Sequence, residues 1–172
     1  MVTLHSCVRL SFLALLLLCY SCQSFSQVKD KAYSAMLYTL LEHSVPEISV
    51  EEFQLQKDSF QLLDAREKAE YNVSHIKNAR WVGYKTFDEK RLQEIDRTKP
   101  VVVYCAVGYR SEKIAEKLKA SGFEEVYNLY GGIFEWANNA YPLYKGDSLS
   151  NKIHAYDKKW GFWLNDNYQK VY

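Results

Sequence analysis

The sequence predicts an α/β fold, a central, mostly parallel sheet flanked by helices. Three observations predict it. Short apolar runs alternate with segments of helical spacing along most of the chain. One run, Val101-Val-Val-Tyr104, is unbroken and rich in β-branched residues, as in a strand buried on both faces. The helical segment that follows it closes at Gly122, a residue favoured at helix ends.

The elements follow in order. Residues 32–43 place Ala32, Ala35, Met36, Leu40 and Leu41 at helical spacing. Residues 45–48 read as a short strand. Ser49 and Glu52 form a capping box, so a short helix begins at Val50. A second strand covers 60–63 and ends at Asp64. Residues 67–71 read as a helical turn, 79–82 as an extended piece, and 86–95 as a helix that stops before Pro100. The Val101 run is the central strand, and its carboxyl end is where such sheets place their sites. A helix over 111–120 carries Ile114, Ala115 and Leu118 on one face, a strand covers 126–129, and a Gly131-Gly132 turn leads into a last helix over 133–138. Residues 145–172 are polar, but Tyr156, Trp160, Phe162, Trp163, Tyr168 and Tyr172 are too many rings to leave in water. They read as an aromatic tail docked on the domain.

With 172 residues the chain suits one domain plus a targeting segment. The formal net charge of +1 gives no basic face and argues against nucleic acid as a partner. Residues 1–26 have the order of a secretory signal: Arg9, then an apolar run from Leu10 to Cys19, then small Ser21, Ser24 and Ser26. The run is well short of the ~20 residues that span a bilayer. Cleavage before Gln27 is the preferred reading. A lipid anchor on Cys22, which would supply the sole membrane contact, is the alternative; Cys19 stands where such an anchor usually has Leu. The expectation is an exported protein, periplasmic or secreted. Removing Arg9 leaves 21 basic and 21 acidic residues, a net charge of zero. Residues 27–44 then form an N-terminal helical segment, 45–144 the domain, and 145–172 the tail.

Of the four cysteines, Cys7, Cys19 and Cys22 lie in or beside this signal, so the mature chain keeps Cys105 alone. A single thiol in an oxidising compartment is a liability unless it is used. Cys105 ends the buried strand and opens the loop Cys105-Ala106-Val107-Gly108-Tyr109-Arg110-Ser111. A helix starts at Arg110 or Ser111. Backbone N–H groups of such a loop form an anion nest, and the helix start adds its positive dipole end. Gly108 permits positive φ, and Arg110 adds a cation. Together they favour thiolate over thiol, and would hold an anionic persulfide equally well. With one mature cysteine, no metal site is expected, and no cofactor is implied.

These pieces resemble the rhodanese family over about residues 48–144. Leu63-Asp64-Ala65-Arg66 with Glu70-Tyr71 is similar to the family's Asp-x-Arg segment. Ser74-His75-Ile76-Lys77-Asn78-Ala79 is similar to its Gly-His-Ile-x-Gly-Ala, with Ser74 and Asn78 in place of glycines. The Cys105 loop resembles the active-site loop, and Gly131-Gly132 with Trp136 the Gly-Gly-x-x-x-Trp ending. The resemblance implies a rhodanese-like α/β fold and a sulfurtransferase. Cys105 would be catalytic, and Ala106, Val107, Gly108, Tyr109, Arg110 and Ser111 would bind substrate. Asp64 and Arg66 would support the site, with Arg66 expected to pair with Glu70 and Ser111 to cap the helix. His75 and Trp136 are expected to be structural.

The implied partners are a small sulfur donor, such as thiosulfate or a persulfide, and a thiol or cyanide acceptor; a sulfur-relay protein is a further one. Relatives that use thiosulfate carry more polar or cationic loop residues than Ala106, Val107 and Tyr109, so the natural donor need not be thiosulfate. Two other readings stay open. One is a sulfur carrier or partner-binding module without turnover. The other is a phosphatase or arsenate reductase. Against the second, four residues separate Cys105 from Arg110, one fewer than in the related dual-specificity phosphatases.

Overall fold

The computed structural model describes residues 30–172. The expected signal segment, with the residues around Cys22 and Gln27, lies outside the described residues. A five-stranded parallel sheet organises the rest, in the order β1-β5-β4-β2-β3. Its strands are β1 (Glu47–Ile48), β2 (Gln61–Asp64), β3 (Arg80–Trp81), β4 (Val101–Tyr104) and β5 (Val126–Leu129). As the fold class requires, β4 is central, and Val101, Val102, Val103 and Tyr104 are fully buried.

Alternation along the strands builds two cores. Leu62, Val102 and Tyr104 face α1 (Lys31–Leu40), α2 (Val50–Gln56) and α5 (Gly132–Asn138), meeting Leu37, Phe53, Ile133 and Trp136. Leu63, Val101 and Val103 face α4 (Tyr109–Ala120), meeting Ile114, Ala115 and Leu118. The helices therefore cover both faces of the sheet, and α3 (Lys68–Val73) lies between β2 and β3 in the chain. The Asp30 carboxylate caps α1, accepting from Tyr33 N–H at 2.8 Å. The capping box at Ser49 and Glu52 is formed.

The expected helix over 86–95 is not there. A 3₁₀ turn, Glu89–Leu92, stands in its place. Side chains take the backbone partners that an α-helix needs. Asp88 accepts the Lys90 N–H at 3.0 Å, and Arg91 donates to the Thr86 carbonyl.

Beyond α5 the chain forms a hairpin of β6 (Leu143–Lys145) and β7 (Ser148–Ser150). It then forms a parallel pair of β8 (Lys152–His154) and β9 (Gln169–Val171). Ile153, Ala155 and Leu164 are buried in the α1/α2/α5 core. The Trp163 ring stacks on Tyr33 with centroids 5.5 Å apart, and the Trp163 carbonyl accepts from Asn138 Nδ2 at 2.9 Å.

Candidate active site

Cys105 follows directly on β4 and is 1% exposed. Its Sγ accepts the Gly108 N–H at 3.2 Å. The loop is bent around the sulfur because its carbonyls are held on the far side. Cys105 O accepts from Ile133 N–H at 2.9 Å, and Ala106 O from Phe134 N–H at 3.0 Å. The first turn of α5 thus takes the loop's oxygens. Gly132 has to be glycine for this contact: its φ is +58°, and a Cβ there would sit 2.5 Å from the Cys105 carbonyl oxygen. Gly131 O in turn accepts the Tyr33 hydroxyl at 2.9 Å. Burial, with the charges of Glu135 and Cys105, pushes this phenol well above its ordinary value, so it remains a donor.

Gly108, at φ +119°, forms the N-cap of α4, and the helix begins at Tyr109, earlier than the sequence indicates. The positive φ completes the turn before the helix, which needs no side-chain cap. Ser111 is consequently not the cap. It is fully buried inside the first turn, with Oγ 2.7 Å from Asn128 Oδ1 and 3.0 Å from Gly108 O. The first amides of α4 lack intrahelical acceptors and lie next to the sulfur in the chain.

A pocket of about 340 Å³ opens above Cys105, lined by Ala106, Val107, Tyr109 and Arg110 among others. The Arg110 guanidinium makes a bidentate pair with Glu70, at 2.7 and 2.8 Å, with Glu70 only 3% exposed. Burial alone would ease a proton off Arg110, but the Glu70 hydrogen bonds and the Cys105 charge outweigh it. Asp64 and Arg66 are both fully buried and pair with each other at 2.6 Å. Arg66 Nη2 also donates to Ser74 O at 2.7 Å. The expected Arg66–Glu70 pair is therefore replaced by two pairs, Asp64–Arg66 and Glu70–Arg110. Asp64, Arg66, Gly108 and Ser111 do not line the pocket; Gly108 reaches the site through its N–H to the Cys105 sulfur. His75 stacks on Tyr71 at 4.0 Å, with Nδ1 3.1 Å from the Tyr71 carbonyl.

A rhodanese-like domain model matches residues 49–139. The chain belongs to the rhodanese-like domain family. YqhL of Bacillus subtilis is 34% identical over 104 residues, covering 60% of this chain and 82% of its own. The tRNA uridine(34) hydroxylase of Escherichia fergusonii is 36% identical over 104 residues, 58% of this chain but 30% of that protein. The chain thus spans about a third of the hydroxylase relatives. Among solved structures, a thiosulfate sulfurtransferase of Pseudomonas aeruginosa superposes with a TM-score of 0.56 at 24% identity, over 67% of this chain and 23% of that one. A rhodanese-like domain from Anabaena does so at 0.52 and 24%, over 58% of this chain and 78% of that one. These two share the fold.

Within this rhodanese-like domain, Cys105, the Gly108 amide, Arg110 and the α5 turn meet at the carboxyl end of the central strand. Sequence reasoning missed Glu70 as the partner of Arg110. It also missed the pocket residues outside the matched segment: Leu40 from α1, and Tyr156 and Trp160 from the tail. The density of rings in the tail was the signal for the last two. Among the described residues, no three His, Cys, Asp or Glu side chains gather as a metal site.

Proposed function

We propose that this chain is a sulfurtransferase in which Cys105 carries a sulfane sulfur as a persulfide. The observation that carries the reading is the Cys105 sulfur at the floor of a pocket, receiving the Gly108 N–H, with the loop carbonyls tied away by α5. A thiolate there attacks the outer sulfur of a donor. The Sγ–S bond forms, the donor's S–S bond breaks, and the donor's remainder leaves with the electron pair. The acceptor then attacks the outer sulfur of the Cys105 persulfide. The carbon–sulfur or sulfur–sulfur bond of the product forms, and the thiolate returns. Covalent capture splits one transfer into two easier ones. The loop amide and the start of α4 face negative charge in every species. In the cell a thiol, or a sulfur-relay protein, is the proposed acceptor. The leader-like order of residues 1–26 supports an exported location.

Steady-state transfer to cyanide tests this. Double displacement predicts parallel lines when donor and cyanide are varied together, and no activity in Cys105→Ser. Turnover by Cys105→Ser at the native rate would overturn the reading. Hydrolysis of a small aryl phosphate is expected to be absent; robust Cys105-dependent hydrolysis would favour a phosphatase instead.

A further inference from the structure

Three apolar or aromatic residues of the pocket over Cys105 lie outside the matched segment 49–139. Leu40 comes from the end of α1, and Tyr156 and Trp160 come from the tail between β8 and β9. Tyr156 is held at φ +66°, an uncommon conformation for a residue with a Cβ. Its N–H donates to His154 Nδ1 at 3.0 Å, and the Arg110 guanidinium lies 5.3 Å from its ring. The Trp160 N–H donates to Asp157 Oδ1 at 2.9 Å, and its ring packs against the main core. The wall is thus built in place rather than left to a loose segment.

The charges around the pocket are balanced. Arg110 is neutralised by Glu70, and at the rim Glu67 stands with Lys85. A small dianion would have to give up its water for a pocket that offers rings and methyl groups, which is costly. An apolar group would gain by leaving water there.

We propose that Leu40, Tyr156 and Trp160 form a specificity wall, and that the donor is an organic sulfane-sulfur compound with an apolar group, an alkyl or aryl persulfide or thiosulfonate, rather than thiosulfate. This rests on the sulfur-transfer reading above. For a thiosulfonate, R–SO₂–S⁻, the Cys105 thiolate attacks the outer sulfur. The Sγ–S bond forms, the S–S bond breaks, and the sulfinate R–SO₂⁻ leaves with the electron pair. Charge and electrons balance without an oxidant or reductant. The organic group lies against the wall and the transferred sulfur lies over the loop.

Three donors test it with the whole chain: thiosulfate, methanethiosulfonate and benzenethiosulfonate. The two thiosulfonates carry one charge each, so their difference reads the wall and not the charge. The native protein is expected to favour benzenethiosulfonate over methanethiosulfonate by at least about tenfold in kcat/KM, the usual discrimination of an apolar pocket. Tyr156→Ala and Trp160→Ala are expected to remove most of that preference, with the loss falling mainly on benzenethiosulfonate rather than on methanethiosulfonate or thiosulfate. Trp160→Leu keeps apolar bulk in the core without the ring, and is expected to lose the preference as well. Equal use of the two thiosulfonates by the native protein would overturn the wall. So would equal losses on all three donors in Tyr156→Ala and Trp160→Leu variants of native circular dichroism. If no donor leaves sulfur on Cys105, the sulfur-transfer reading fails and this inference fails with it.

Discussion

Arg110 is the residue whose role the structure changes most. Read as a free cation, it would grip a dianion through its planar fork. Paired with Glu70, it supplies a rigid edge to the pocket and little net charge. Arg110→Ala should therefore cost stability as well as activity, because it strands a carboxylate that is 3% exposed. Breaking a buried pair of this kind costs about 3 kcal/mol, measurable by urea unfolding. Glu70→Gln gives the pH dependence. Burial raises the Glu70 carboxyl, but the hydrogen bonds and charge of Arg110, with the charge of Arg66, hold it below its ordinary 4.5. A carboxyl with a depressed folded value adds stability above its unfolded value and loses it as pH falls through the folded one. The native protein should therefore exceed Glu70→Gln in stability at pH 7, and the gap should close as pH falls below about 4.5. A gap that stays constant into acid would show that the pair does not titrate as described. None of this pairing was legible in the sequence. Arg66 and Glu70 looked like an i, i+4 pair, but that rule needs both residues on one helix. Arg66 precedes α3, which starts at Lys68, while Arg110 lies 40 residues from Glu70. The Cys105 loop was legible, because a buried β-branched run ending in cysteine, then glycine, is a local pattern.

At the scale of elements, the Cys105 loop depends on α5. Gly132→Ala places a Cβ against the Cys105 and Ala106 carbonyls at a positive φ. It should cost about 2–3 kcal/mol by urea unfolding and suppress sulfur transfer, because strain and the lost loop contacts act together. A variant with native stability and native transfer would show that α5 does not shape the loop. The strands of the parallel sheet were readable because most sit in short apolar runs with a clear stop, whereas β6 to β9 were not read, because short polar stretches such as Ser148–Ser150 carry no such run. The 86–95 segment was misread because its helical spacing competes with side-chain bonds from Asp88 and Arg91 that only the folded loop reveals. The start of α4 was misplaced because Gly108 itself takes the N-cap position that Ser111 was expected to fill.

For the whole molecule, the parts outside the matched 49–139 segment belong to the core and to the pocket. Ile153 in β8 is fully buried, so Ile153→Ala should cost about 3 kcal/mol. Leu149 in β7 is 73% exposed, and Leu149→Ala should cost under about 0.5 kcal/mol. Similar costs for both in urea unfolding would mean that the tail is not an integral part of the fold. The expectation that the tail rings pack holds for Trp160, Trp163 and Tyr168, while Phe162, Tyr172 and Tyr156 stay 77%, 58% and 48% exposed, and nothing in the sequence marks Tyr156 and Trp160 as lining the Cys105 pocket. That depends on how the parallel β8–β9 pair is seated, a long-range matter with no local signature. The central claim concerns one atom, and the mass of the intact protein tests it directly. After incubation with benzenethiosulfonate and removal of the donor, the native chain should gain the mass of one sulfur. Dithiothreitol should remove it, and a folded Cys105→Ser variant should not acquire it. A native chain that gains nothing, or a Cys105→Ser variant that gains the same mass, would contradict the persulfide at Cys105.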